Sequence, residues 1–144
     1  MSRWAERYLL VPFKDGGRDM KGLDCWGLIR EVYSDQLGIE LPSYGEISAH
    51  DMRKIAEQMA GDTADGEVWR PIKTPEAFDV VVMSWAQHKI IAHVGVMIDA
   101  KRLLHIEPGT YPAIVQAKHP FVARRIRGYF RHRDMVRDAI AAAQ

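Results

Sequence analysis

The sequence predicts an α+β domain in which helices come first and strands follow. Apolar residues recur at helical spacing up to about Met59, and short β-branched or aromatic runs take over from about Val68. The breaks between those runs are too short to hold crossover helices, so the sheet should be mainly antiparallel with five or six strands. At 144 residues the chain fits a single domain, 1–144, with one core.

Taken in order, Trp4 to Leu10 fits a short helix with Trp4 and Tyr8 on one side, stopped by Pro12. A glycine-rich stretch, Gly16-Gly17-Arg18-Asp19-Met20-Lys21-Gly22-Leu23-Asp24, then leads into the central helix. From Cys25 the residues Leu28, Ile29, Val32 and Tyr33 share one face as far as about Leu37, and Gly38 is suited to end the helix. After the loop Leu41-Pro42-Ser43-Tyr44-Gly45, Ser48 and Asp51 have the spacing of a capping box, opening a second helix from about Ala49 to Met59. The strand candidates are Val68 to Ile72, Asp79 to Trp85, Ala92 to Ile98, Arg102 to Glu107, Ala113 to Ala117 and Ile126 to His132. Asp134 to Ala143 reads as a final helix.

Lys and Arg total 20 against 19 Asp and Glu, a formal charge of +1, so no long-range field for nucleic acid or an anionic membrane is expected. The arginines between Arg124 and Arg137 alternate along the last strand and read as a solvated sheet edge. No run approaches the roughly 20 apolar residues of a membrane span, and the charged start Met1-Ser2-Arg3-Trp4-Ala5-Glu6-Arg7 is unlike a signal peptide. Synthesis in the cytoplasm without a signal peptide is the expectation. One cysteine excludes an internal disulfide and a thiolate-rich zinc site, and no metal or cofactor is expected.

That cysteine stands where loop becomes helix. Asp24 is a candidate N-cap, and the first-turn amides and helix dipole bias Cys25 toward thiolate, while the Asp24 charge opposes that bias. A nucleophilic cysteine takes its base from a histidine remote in sequence. His93 and His105 qualify, because each interrupts an apolar, strand-like run where a polar residue needs a reason. His50, His119 and His132 read as solvated, as do Arg18, Asp19 and Lys21; Asp79 reads as structural, bonding local amides.

Asp24-Cys25-Trp26-Gly27-Leu28 resembles the Asp-Cys-Ser-Gly nucleophile motif of the NlpC/P60 papain-like cysteine peptidases, with a Gly-Gly loop before it. Phe78-Asp79-Val80-Val81-Val82 is similar to that family's Gly-Asp strand, His93-Val94-Gly95-Val96 to its His-Val-Gly strand, and His105 falls where its third polar residue is expected. The similarity runs from about Pro12 to Arg131 and is strongest to short, stand-alone members from phage tail gene clusters. It implies a papain-like fold with the Cys25 helix packed on the sheet, against the face from which His93 projects. It also implies Cys25 as nucleophile, His93 as base and His105 as orienter of His93; Glu107, His88 and Gln87 remain alternative partners for His93. Phe13 stands where the family commonly has an oxyanion-stabilising Tyr, and Trp26 where it has a small Ser. Asp24, Trp26 and Phe13 are therefore the oxyanion or substrate-groove candidates. The implied substrate is a peptidoglycan stem peptide, cut between D-glutamate and diaminopimelate. The implied setting is a virion tail acting in the host cell wall, with tail-tip proteins as partners.

Overall fold

The computed structural model describes residues 3–42, 68–84 and 91–135. The chain enters through a 3₁₀ turn, Trp4–Tyr8, where the pattern predicts a longer helix. Tyr8 is buried there, and Trp4 stacks on Phe78 with ring centroids 4.9 Å apart. Two-residue strands β1 (Arg18–Asp19) and β2 (Gly22–Leu23) pair as a small antiparallel hairpin in what reads as loop. Strands this short carry no alternation that a sequence pattern can register.

Helix α1 (Cys25–Val32) begins at the predicted residue. It passes into a π turn, Tyr33–Leu37, and stops at Gly38, whose φ of +66° is the left-handed conformation that favours glycine. Its predicted apolar face is buried throughout, with Cys25, Leu28, Ile29, Val32 and Tyr33 all at or below 3% exposure. The predicted helix from Ala49 to Met59, with its Ser48 and Asp51 capping pair, lies outside the described residues, as does the final helix from residue 136 onward.

Six further strands and one helical turn complete the described chain: β3 (Trp69–Ile72), β4 (Val80–Ser84), β5 (Ile91–Met97), β6 (Arg102–His105), β7 (Ala113–Gln116), α2 (Pro120–Ala123) and β8 (Ile126–His132). They form one sheet in the order β3-β8-β4-β5-β6-β7, and every neighbouring pair is antiparallel, as the short connections predict. Val80, Val82, Val94, Val96 and Leu104 join the α1 face in one apolar core. Val81, Met83, Met97 and Leu103 form a second cluster with Ala117 and Val122. That division is the period-two alternation expected of strands covered on two sides.

Two sequence expectations fail here. The arginine-rich last strand is no edge: β8 lies between β3 and β4. Arg131 there grips the buried Asp79 carboxylate through two bonds of 2.9 and 2.8 Å, and Arg125 is buried. Asp79 also accepts from the Glu76 amide, so its structural role holds. His132 is likewise not solvated but 6% exposed, edge-on to the Trp69 ring at 4.9 Å. An alternating arginine pattern says which residues share a face, not whether another strand or an acid covers them.

Phe78, just before β4, has φ +72°, a conformation rare for a side chain of this size and worth roughly 1–3 kcal/mol of strain. It is held on all sides: the Tyr33 hydroxyl donates to its carbonyl, its amide donates to the Met97 carbonyl, and its ring lies under Trp4. Among the described residues no helix is long and apolar enough to cross a membrane.

Candidate active site

The start of α1 is wrapped by the loop that precedes it. Asp24 caps the helix, its carboxylate accepting from the Gly27 amide at 2.8 Å and from the Gly16 amide at 3.1 Å. A cap of this type is worth about 1 kcal/mol. Gly27 is required for the same wrapping, because a Cβ there would lie 2.0 Å from the Gly17 carbonyl oxygen. Arg18 does not sit on a solvated loop face as its sequence context suggests: its guanidinium pairs with Asp24 at 2.6 Å and donates to the Gly17 carbonyl at 2.9 Å. Nothing in the spacing of Arg18 and Asp24 signals that pairing; the β1–β2 hairpin creates it by folding one strand back on the other.

The other two groove candidates are differently placed. Trp26 is 1% exposed and its indole N–H donates to the Pro42 carbonyl, so its ring belongs to the core. Phe13 bridges to Leu23 and packs, half-buried, against the α1 core, offering no hydroxyl.

Cys25 is 3% exposed. Burial, with the Asp24 charge behind it, pushes the thiol up to about 12, against smaller opposing effects from the backbone amides of Val94 and Trp26 and from Arg18. The expected helix-start bias toward thiolate is thus outweighed, because desolvating a charge costs more than first-turn amides return. The resting group is a thiol held by the backbone amides of Val94 and Trp26. The Val94 amide ties the sulfur to β5 one residue from His93. By alternation His93 shares its side of β5 with Gly95 and Met97, whereas Val94 and Val96 pack under α1.

The two histidines do come together. His93 Nε2 and His105 Nδ1 lie 2.9 Å apart, across β5 and β6, and both rings are buried. His105 is thereby the described partner of His93, while Gln87 and His88 lie outside the described residues. Burial holds His93 well below the usual imidazole range, with the neighbouring His105 and Arg125 adding to it. His105 is also lowered by burial, with the Glu107 charge pulling the other way. Both are neutral at pH 7, one donating to the other. With Nε2 engaged, Nδ1 of His93 is the nitrogen that would accept a thiol proton.

Behind them stand Glu107, one of the alternative partners for His93, and Arg125, which the arginine pattern assigns to a solvated edge. Arg125, buried just before β8, donates to the Ser84 carbonyl and pairs with Glu107 at 2.5 Å. Donor atoms of His93, His105 and Glu107 all lie within 4.8 Å of one another, the grouping among the described residues that could hold a metal ion. The Arg125 guanidinium already takes one oxygen of the Glu107 carboxylate, so a cation there would compete with its charge. In chemical terms the arrangement offers a thiol at a helix start, with amides suited to a developing negative charge, and an imidazole pair suited to taking up a proton.

The NlpC/P60 family model matches residues 10–131. Among solved structures, the NlpC/p60 domain of the peptidoglycan hydrolase SagA is similar at 17% identity and a TM-score of 0.58, over 88% of this chain and 92% of that one. A Bacillus cereus NlpC/P60 family protein aligns at 17% identity and TM-score 0.64, over 89% of this chain and 37% of its own. A Staphylococcus aureus protein described as similar to lipoprotein, NLP/P60 family, aligns at 22% identity and TM-score 0.58, over 88% and 38%. The chain thus spans little more than a third of the latter two. At these identities the structures speak for the fold. No curated protein matches the chain in sequence.

Proposed function

This chain belongs to the NlpC/P60 family, which includes peptidoglycan hydrolases, and from that premise we propose that it is a cysteine peptidase acting on peptidoglycan stem peptides. The observation that carries the proposal is the His93–His105 bond at 2.9 Å, one residue along β5 from the amide that touches the Cys25 sulfur. In this reading the Cys25 proton passes to Nδ1 of His93 as the sulfur attacks an amide carbonyl; the new C–S bond forms as the imidazolium develops. His93 returns the proton to the leaving amine, then activates a water that releases the acyl group. His105 holds the acceptor ring in place. The Cys25 backbone amide at the helix start is the oxyanion donor.

Because the thiol rests protonated, proton transfer and attack are coupled rather than sequential. The bond between D-glutamate and diaminopimelate rests on the family resemblance, a single-domain organisation on the size of core that 144 residues can build, and delivery at a phage tail into the host wall on the similarity to short tail-associated members. Muropeptide analysis by mass spectrometry after incubation with purified cell wall tests the peptidase reading: wild type should release cleaved stem peptides, and Cys25→Ser should release none.

A second reading is favoured by the same thiol. A sulfur pushed up to about 12 by burial, with Phe13 lacking a hydroxyl, suits a docking module that keeps the fold without turnover. Intact muropeptides together with no His93-dependent labelling of Cys25 by iodoacetamide would select it.

A further inference from the structure

We propose that the Glu107–Arg125 ion pair is a positioning device that sets the charge felt by the His93–His105 pair; this rests on the reading of His93 as proton acceptor. The pair does not resemble a surface salt bridge. Arg125 is 8% exposed and fixed on two sides: its Nε donates to the Ser84 carbonyl at 2.9 Å, and its own carbonyl accepts from the Ser84 amide at 2.8 Å. Its remaining reach goes to Glu107 at 2.5 Å. Glu107 follows His105 by two positions, and its side chain, 31% exposed, could otherwise turn to solvent. Held by Arg125, it keeps a carboxylate oxygen within 4.8 Å of a ring nitrogen of each histidine.

Two neutral imidazoles joined by one hydrogen bond gain nothing at rest from a nearby anion. They gain when the pair takes up the thiol proton and becomes cationic, because the carboxylate then stabilises a charge that burial disfavours. Arg125 moderates that attraction and adds to burial in keeping the pair neutral before substrate arrives. Among the described residues the titratable and charged groups around the histidines are Cys25 from α1, Glu107 after β6 and Arg125 before β8, and the last two act with opposite sign. Burial is the largest influence holding both histidines down; His105 and Arg125 add to it on His93, and Glu107 and Arg125 act as opposed charges on His105.

The test is the pH dependence of Cys25 alkylation by iodoacetamide, alongside kcat/KM on stem peptides, in wild type, Glu107→Gln, Arg125→Met, Arg125→Lys and His93→Ala. The acidic limb should move down in Glu107→Gln and up in Arg125→Met, each by roughly half to one pH unit for a charge near 5 Å under solvent screening. Arg125→Lys should restore the wild-type limb. A merely structural pair would lower the rate in every variant without opposite displacements, so coincident limbs, or limbs moving the same way, overturn the proposal. Should Arg125→Met fail to fold, Glu107→Gln decides, with circular dichroism confirming its fold. If wild type and His93→Ala share one profile, the peptidase reading itself fails and takes this with it; a His93-dependent limb left unmoved by Glu107→Gln sinks this proposal alone.

Discussion

The helix half of the site, Gly16 to Gly27, is held by groups close to one another in sequence, whereas the strand half, His93 to Arg125, is held by partners from segments far apart in the chain. In the first, the Asp24 carboxylate gathers two amides and Arg18, and the Gly17 carbonyl rests on a glycine surface. In the second, each group is placed by the next: His93 by His105, and Glu107 by Arg125, which Ser84 holds. The local half should therefore be stiff and intolerant of added volume. The relay half should respond to charge.

Substitutions can break or sharpen that contrast. Cys25→Ser should cost on the order of 10⁴-fold or more in kcat, since in the proposed mechanism the whole reaction passes through the sulfur. Its melting temperature should fall little, because a hydroxyl can accept from the same Val94 and Trp26 amides. A large thermal loss with no muropeptide release by wild type would make Cys25 a packing residue only. His93→Ala should cost about 10³-fold and His105→Ala about 10–100-fold, as expected of an acceptor and the group that orients it. The reverse order in steady-state kinetics would exchange their roles.

On the rigid side, Gly27→Ala should destabilise the fold by about 1–3 kcal/mol in urea unfolding, as the new Cβ drives against the Gly17 carbonyl. A near-neutral result would show the loop to be less confined than the helix it covers.

Stability should also depend on pH. Burial lowers His93, His105 and His132 below their ordinary 6.5. Below about pH 6.5 the unfolded chain then binds protons that the folded chain refuses. Stability is thus full above that pH and declines as pH falls, at about 1.4 kcal/mol per unit for each proton taken up. Urea titrations between pH 7.5 and 5.5 should show the decline, and His93→Gln should flatten it. The smallest effect belongs to Asp24→Asn: the cap survives, but the charge raising the thiol is gone, so the alkaline rise of iodoacetamide labelling should begin at lower pH.

The same contrast explains what the sequence disclosed. The six main strands were legible because each is an apolar run with clear breaks, and α1 because its Asp24 cap and 3.6-residue stripe agree. Cys25, His93 and His105 stood out as polar or nucleophilic residues where packing alone would prefer something else. The β1–β2 hairpin and α2 were too short to leave a period. Arg18, Arg125 and His132 were misread as solvated because their partners lie on segments that meet only after folding, and a residue's burial there is decided by the partner. The thiol's state was misjudged for a related reason: helix-start stabilisation can be read locally, but the desolvation that exceeds it depends on everything stacked above.

The concealment of Cys25 has a further consequence. Peroxide attacks thiolates that it can reach, and this sulfur offers little of either property: 3% exposure and a proton held until late in the alkaline range. Sulfenic acid formation should therefore be slower here than at an exposed, ionised cysteine, and the sulfur should be opened to oxidant only when the packing around it moves.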